Sequence, residues 1–207
     1  MGDEPSWAKG REKPPVWQSG PGRSRFANPW IELVEYDAVA PTGFETHYAV
    51  VRFRKLAVGV LPVYPDGTVA LVGQQRFPTP GYSWEMPEGG AEPGEDPVAG
   101  AQRELREEAG LVAASWREVL RLELSNSVTD EQAVCFLAWD LSACETAPDE
   151  TEHLDLARVP FRDLLDAAGA GLVRDSLTVA TAFRAYHMAR EGELPADLAR
   201  AMLEHGG

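Results

Sequence analysis

Apolar and polar positions alternate along the first half of the chain and predict β-strands there. Segments 30–36 and 47–53 alternate and are separated by a turn, which predicts an antiparallel hairpin. The apolar run 57–63 and the short run 69–72 flank Pro65-Asp66-Gly67, which predicts a second hairpin. Further strands are expected at 116–124, 133–139 and about 153–159, and residues 77–94 are expected to form a loop.

Helical spacing of apolar residues first occurs at 96–109, where Val98, Ala101 and Leu105 share one face. Gly110 follows at the position of a C-terminal cap. Three more helices are expected, at 161–168, at 176–190 behind an Asp175/Ser176 cap, and at 195–204. Strands followed by helices around one core predict an α/β domain of mixed topology.

The ends of the chain differ from its middle. Residues 1–25 contain four Pro and four Gly with scattered charge, which predicts a flexible N-terminal tail and order from about Phe26. Residues 26–207 are expected to form a single domain, because their number fits one domain and no internal repeat is visible. Within it, 26–55 is the N-terminal β-hairpin, and 56–207 contains the core and the C-terminal helices.

Composition restricts the class of protein. The chain has 33 acidic and 19 basic residues and a net charge of −14, which argues against binding of nucleic acid or of an anionic membrane. Two cysteines, Cys135 and Cys144, are too few for a disulfide-stapled secreted scaffold. The absence of long apolar runs and of a signal peptide predicts a cytoplasmic location and no transmembrane helix.

The negative charge is concentrated in two segments. Residues 85–108 contain eight acidic and two basic residues, and residues 140–155 contain six acidic residues and neither Lys nor Arg. In the first segment, Glu104, Glu107 and Glu108 share one helix face, where like charges repel one another. A divalent cation such as Mg²⁺ or Mn²⁺, which prefers oxygen ligands, would relieve this repulsion. An exposed acidic helix face without a ligand is the alternative interpretation.

The stretch from Gly89 to Leu111 reads GGAEPGEDPVAGAQRELREEAGL and matches, without a gap, the signature of the Nudix hydrolases. The preceding QQRFP at 74–78 and WEMPEGG at 84–90 resemble elements of ADP-ribose and nucleoside-diphosphate-sugar pyrophosphatases. The resemblance implies a Nudix α/β/α sandwich with a mixed β-sheet and an N-terminal β-hairpin extension, in an enzyme that often forms a homodimer. It also implies Mg²⁺-dependent cleavage of a nucleoside-diphosphate sugar into a nucleoside monophosphate and a sugar phosphate.

The same resemblance assigns roles within the motif. Glu104 and Glu108 would be the principal metal ligands, and Glu107 would be a further ligand or a base. The main-chain carbonyl of Glu88 would be another ligand. The residues with a structural role would be Gly89, Glu95 and Arg103, the last two as an ion pair that orients the loop on the helix.

A second acidic motif, Asp149-Glu150-Thr151-Glu152, resembles the loop in which this subfamily keeps its general base. Glu150 is the first candidate for the base and Glu152 the second, since a carboxylate near the attacking water can accept its proton. Glu131 is a weaker candidate for a neighbouring role. An exposed acidic loop without a catalytic role is the alternative.

Four further residues match positions that bind substrate in this subfamily. Arg76 and Glu85 would lie near the phosphates or the terminal ribose, and Trp30 and Tyr48 would stack on the nucleobase. A surface arginine and ordinary aromatic packing are the alternatives.

The loop at 125–128 has no proline, whereas ADP-ribose pyrophosphatases commonly have one after the motif. The preferred substrate therefore stays open between ADP-ribose and GDP-mannose, a dinucleoside polyphosphate or coenzyme A. A non-catalytic nucleotide-sugar sensor is a further alternative, although such proteins usually lose glutamates that are all present here.

Overall fold

The computed structural model describes residues 5–79, 81–146 and 153–204. In these ranges the β-strands are β1 (Gln18–Ser19), β2 (Arg23–Ala27), β3 (Ile31–Val39), β4 (Glu45–Phe53), β5 (Leu56–Pro62), β6 (Thr68–Gln75), β7 (Tyr82–Glu85), β8 (Glu88–Ala91), β9 (Leu111–Glu123), β10 (Gln132–Ala143) and β11 (Asp155–Pro160). The helices are α1 (Pro97–Ala109), α2 (Phe161–Gly169), α3 (Ser176–Arg190) and α4 (Ala196–Leu203). The chain divides into a first unit, residues 1–54 and 127–130, and a second unit, residues 55–126 and 131–207.

The first unit is built on one antiparallel sheet. β3 pairs with β4 along its full length, which confirms the predicted hairpin. β1 and β2 also pair with β3, so that β-structure begins before Phe26, where the sequence predicts the start of order. Every residue of β1 and β2 is exposed, so these strands carry no apolar alternation that could have predicted them. β2 is attached to the sheet by its backbone pairing with β3, beside exposed ion pairs such as Arg23 with Asp37.

The second unit contains two sheets. The four-stranded sheet has the order β8-β5-β10-β9, in which β5 and β10 are parallel and the other pairs antiparallel. The three-stranded sheet, β11-β6-β7, is antiparallel. The turn predicted at Pro65-Asp66-Gly67 is present, since the N–H of Tyr64 donates to the Thr68 carbonyl oxygen at 2.8 Å. The predicted hairpin does not continue beyond it: within the described residues the antiparallel pairing here is limited to the bridge Val63–Val69, and β5 and β6 belong to different sheets. Both strands are nearly continuous apolar runs, and such runs do not specify which partner a strand pairs with.

Helices cover these sheets on two sides. Leu105 of α1 is fully buried in a core that includes Val58 and Phe136. Met188 of α3 and Met202 of α4 are fully buried in a second core, to which α2 also contributes. The predicted α/β/α sandwich with a mixed sheet is therefore confirmed. Among the helices of the described residues, none is long and apolar enough to cross a membrane.

β7 and β8 lie in the stretch where the sequence predicts only a loop. Each has four residues, and the corner between them carries Met86, whose backbone N–H donates to Thr178 Oγ1 on α3 at 2.9 Å. Both Met86 and Thr178 are fully buried. Because β7 ends at Glu85 and β8 begins at Glu88, this corner sets the positions of two candidate side chains.

Candidate functional site

Helix α1 carries the acidic face, and both of its ends are fixed by local interactions. The side chain of Asp96 accepts a hydrogen bond from the backbone N–H of Val98 at 3.1 Å, and Gly110 has the left-handed φ of 61°. The predicted C-terminal cap at Gly110 is thereby confirmed. Of the glutamates on this helix, Glu108 is the most deeply buried, at 4% exposure. The acidic face therefore points partly into the protein.

The start of β8 lies against this face. The backbone N–H of Glu88 donates to Glu108 Oε2 at 2.9 Å. A Cβ atom at Gly89 would overlap the carboxylate of Glu104, so a larger residue there would displace that carboxylate. The main chain of β8 and the glutamates of α1 thus approach each other directly.

Arg103 is the cation at the centre of the motif. Its guanidinium donates to Glu104 Oε1 at 2.8 Å, to Glu107 Oε2 at 3.2 Å and to the carbonyl oxygen of Gly90 at 2.9 Å. Its Nη2 also lies 3.6 Å from Glu95 Oε2, as expected for the ion pair between helix and loop. One guanidinium therefore lies beside three carboxylates, so its single positive charge leaves a net negative charge on this side of the helix.

Arg76 connects the two acidic side chains at the ends of β7 and β8. Its Nη2 lies 2.5 Å from Glu85 Oε2 and 2.9 Å from Glu88 Oε1. Burial lowers the pKa of the guanidinium, but hydrogen bonds and charge from Glu85 outweigh this, so the pKa lies above its usual value. Gln74 donates to the same Glu85 at 3.3 Å. Arg76 is therefore held in a fixed orientation beside the acidic face.

Asp175 joins this group, which the sequence does not predict. Asp175 caps α3 by accepting a hydrogen bond from the Thr178 backbone N–H at 2.7 Å. Carboxylate oxygens of Glu85, Glu88 and Asp175 lie within 4.8 Å of one another. Burial, and then the charges of Asp175 and Glu85, raise the pKa of Glu88 well above its usual value, although Arg76 opposes this. The helix-cap signal at Asp175 is visible in the sequence, but its proximity to the acidic residues is not.

The donor set fits a hard divalent cation. The carboxylates of Glu104, Glu107 and Glu108 offer only oxygen ligands, which Mg²⁺ and Mn²⁺ prefer. Glu88 Oε2 is buried and has no hydrogen-bond partner among the described residues. Acidic groups crowded in this way, with one buried oxygen left unpaired, are stabilised when a cation binds nearby.

A cleft of about 560 Å³ opens beside this cluster. Its lining consists of Arg76, Thr79, Gly81, Tyr82, Ser83, Glu85, Leu172, Arg174 and Asp175. The volume is within the range of small-molecule sites. Because Glu85 and Asp175 both line the cleft and belong to the carboxylate group that includes Glu88, a ligand in the cleft would lie beside these acidic side chains.

The remaining predicted residues are Glu150, Glu152, Glu131, Trp30 and Tyr48. Glu150 and Glu152 fall outside the described residues. Glu131 is in the second unit, where its carbonyl oxygen accepts a hydrogen bond from the Leu124 N–H and burial raises the pKa of its side chain. Trp30 and Tyr48 belong to the first unit. Trp30 is 67% exposed and so is not a core residue. The centroids of the Tyr48 and Trp17 rings lie 5.2 Å apart, in an edge-to-face arrangement.

Comparisons with known proteins agree with this geometry. Residues 53–178 match the family described as NUDIX domain. The chain is 32% identical to an ADP-ribose pyrophosphatase of Bacillus subtilis (strain 168), over 74% of this chain and 83% of that protein. It is 31% identical to an ADP-sugar pyrophosphatase of Mus musculus, over 77% of this chain and 81% of that protein. A crystal structure of an ADP compounds hydrolase matches with a TM-score of 0.79 at 20% identity, over 89% of this chain and 100% of that one, and shows the same fold.

Proposed function

The chain belongs to the NUDIX domain family, and we propose that it hydrolyses the diphosphate bond of a nucleoside-diphosphate sugar of the ADP-ribose kind. The products are a nucleoside monophosphate and a sugar phosphate. The observation that carries this proposal is the acidic face of α1, which continues through Glu88 to Arg76 and the cleft. The names of the two relatives, ADP-ribose pyrophosphatase and ADP-sugar pyrophosphatase, support this substrate class.

The residues proposed to hold Mg²⁺ or Mn²⁺ are Glu104, Glu107 and Glu108, together with the main-chain carbonyl of Glu88. A bound divalent cation neutralises phosphate charge and lowers the pKa of the attacking water. Arg76 uses Nε and Nη2 to bind Glu85 and Glu88, and its Nη1 has no acceptor among the described residues. Nη1 is therefore the group proposed to donate to a phosphate oxygen.

Hydrolysis forms one bond between the water oxygen and a phosphorus and breaks the bridging P–O bond, whose electrons leave with the second phosphate. The proton of the water is proposed to pass to Glu150, with Glu152 as the second candidate and Glu107 as the third. A carboxylate suits this role because it is ionised at neutral pH and can reach a water molecule by a hydrogen bond. Trp30 and Tyr48 are proposed to contact the nucleobase.

Turnover of a substrate panel tests the proposal. We expect hydrolysis of ADP-ribose or another nucleoside-diphosphate sugar with Mg²⁺ or Mn²⁺, alongside GDP-mannose, coenzyme A and diadenosine polyphosphates as competing candidates. Glu108→Gln should lower kcat by at least about 100-fold. The control is Glu118→Gln, at an exposed residue of β9 that pairs with Arg121, and it should leave turnover unchanged. Turnover of Glu108→Gln near the wild-type rate would refute the ligand assignment, and no turnover on any substrate would favour a sensor.

We also propose that the protein is a cytoplasmic homodimer. Exposed aromatic side chains of the first unit support the dimer, namely Trp7, Trp17, Phe26, Trp30, Phe44 and Phe53. Cys135 and Cys144 are both free, as is usual in a reducing compartment. Sedimentation equilibrium and cell fractionation test the two statements, and a monomer at micromolar concentration or a secreted protein would contradict them.

A further inference from the structure

Four charged side chains line the cleft, and three of them have partners. Arg76 is paired with Glu85 on β7, and Glu85 is only 2% exposed. Asp175 accepts a hydrogen bond from the N–H of Thr178 at 2.7 Å. The fourth, Arg174, is exposed and makes no ion pair or hydrogen bond with any residue of the described ranges. Among the described residues, Arg174 is therefore the charged side chain of the cleft without a partner.

We infer that Arg174 selects substrates whose distal half, the part beyond the diphosphate, carries an anionic group such as a phosphate or a carboxylate. This inference rests on the proposed function. A guanidinium presents several N–H groups in one plane, which match two oxygens of a phosphate or carboxylate at once. The chemistry of Arg174 thus suits an anion better than the hydroxyl groups of a neutral sugar.

The position of Arg174 agrees with this role. The residue next to it, Asp175, has its carboxylate within 4.8 Å of those of Glu85 and Glu88. Glu88 in turn contacts Glu108 of the acidic face through its backbone N–H. A diphosphate held at the acidic face therefore directs the distal half of the substrate toward the cleft, where Arg174 lies on the wall.

Two other lining residues offer a surface for the carbon skeleton of a sugar. Tyr82 is 43% exposed and Leu172 is 79% exposed, so a ring and an apolar side chain face the cleft beside Arg174. Aromatic and apolar surfaces pack against the carbon skeleton of a sugar but add no preference for charge. Arg76, the other cation of the cleft, is paired with Glu85 and Glu88 and is assigned to the diphosphate, so discrimination between a neutral and an anionic distal group is assigned to Arg174.

Two substrates that differ only in distal charge test the inference. We would compare kcat/KM for ADP-ribose and for ADP-ribose that carries a phosphate on C1 of its distal ribose. The wild type should prefer the phosphorylated compound, and Arg174→Gln should lower its kcat/KM about tenfold, mostly through KM, as expected for one lost charge-assisted hydrogen bond. ADP-ribose itself should be affected much less. Arg174→Lys should recover part of the preference, and Arg190→Gln, at an exposed arginine at the end of α3, serves as the control.

Each result distinguishes this inference from the proposed function. If Arg174→Gln lowers kcat/KM equally for both substrates, or for neither, the inference is overturned while the proposed function stands. If the folded wild type hydrolyses neither compound, the proposed function fails instead. Calorimetric titration with ribose 1,5-bisphosphate and ribose 5-phosphate then decides the inference, because a selective Arg174 requires tighter binding of the bisphosphate in the wild type and loss of that difference in Arg174→Gln. Equal binding of both sugars by the wild type would overturn it.

Discussion

Thr178 connects helix α3 to the corner that carries Glu85 and Glu88, and its hydroxyl can be removed without changing the shape of the side chain. Thr178→Val keeps the branched outline but has no acceptor for the Met86 N–H, which now donates to Thr178 Oγ1 at 2.9 Å. Both residues are fully buried, so water cannot replace the lost acceptor. An unpaired buried N–H costs about 1–3 kcal/mol. We therefore expect Thr178→Val to lower the free energy of unfolding by about 2 kcal/mol.

Urea denaturation and thermal melting measure this loss. For a protein of this size about 2 kcal/mol corresponds to a decrease in Tm of roughly 4–8 °C. Thr178→Ser is the matched control, because it keeps the hydroxyl and loses one methyl group, at a cost of about 1 kcal/mol. A Thr178→Val protein as stable as the wild type, or more stable than Thr178→Ser, would refute this account of the corner.

Activity gives a second readout for the same pair of variants. Met86 lies between β7 and β8, so a displaced Met86 shifts both Glu85 and Glu88. We expect Thr178→Val to lower kcat/KM on the order of tenfold, because small errors in the positions of site residues are costly. Thr178→Ser should remain close to the wild type. Equal activity of the two variants at equal folded fraction would show that the corner does not set the geometry of the site.

Three further predictions concern single residues. Arg103→Gln should lower the free energy of unfolding by about 1–2 kcal/mol, because Glu104 and Glu107 lose their shared cation. Added Mg²⁺ should recover much of this loss in thermal melts. The control Arg121→Gln, at an exposed ion pair on β9, should lower the free energy of unfolding by less than about 0.5 kcal/mol. Gly67→Ala should cost at least about 2 kcal/mol in urea denaturation, because φ is +78° there and a Cβ would collide with the main chain of α4. The hydrogen bond to Asp155 raises the pKa of Tyr82 from 10.0 to about 12. The stabilisation of the folded state by this hydrogen bond is therefore complete below pH 10.0 and is lost as the pH rises toward 12. Tyrosinate absorbance should show Tyr82 ionising nearer 10.0 in Asp155→Ala, and an unchanged titration would contradict this.

The motif segment could be predicted from the sequence because its determinants are local. Asp96 and Gly110 cap α1 through contacts a few residues away, and the spacing of Leu105 with its neighbours sets the buried face. Helical periodicity also places Glu104 and Glu108 on one face without any knowledge of the rest of the fold. The acidic face is therefore a property of one short segment.

The surroundings of that face depend on distant parts of the chain. β7 and β8 have only four residues each, and β8 contains two glycines, so neither is recognised by pattern. Pairing of β7 with β6 and of β8 with β5 holds them in extended form. Asp175 reaches Glu85 only because α3 packs behind the same corner, a contact between residues far apart in sequence. No local signal encodes such a contact, so the sequence predicts Asp175 as a helix cap and nothing more.

The cleft wall and the acidic face come from separate segments of the second unit. Arg174 and Leu172 lie in the connection between α2 and α3, whereas the glutamates of the acidic face lie on α1. Connections of this kind tolerate substitution better than a helix whose side chains are tied on several sides. Natural variation at 172–174 can therefore diversify substrate choice among descendants of one ancestral enzyme while the bond-breaking step is inherited unchanged.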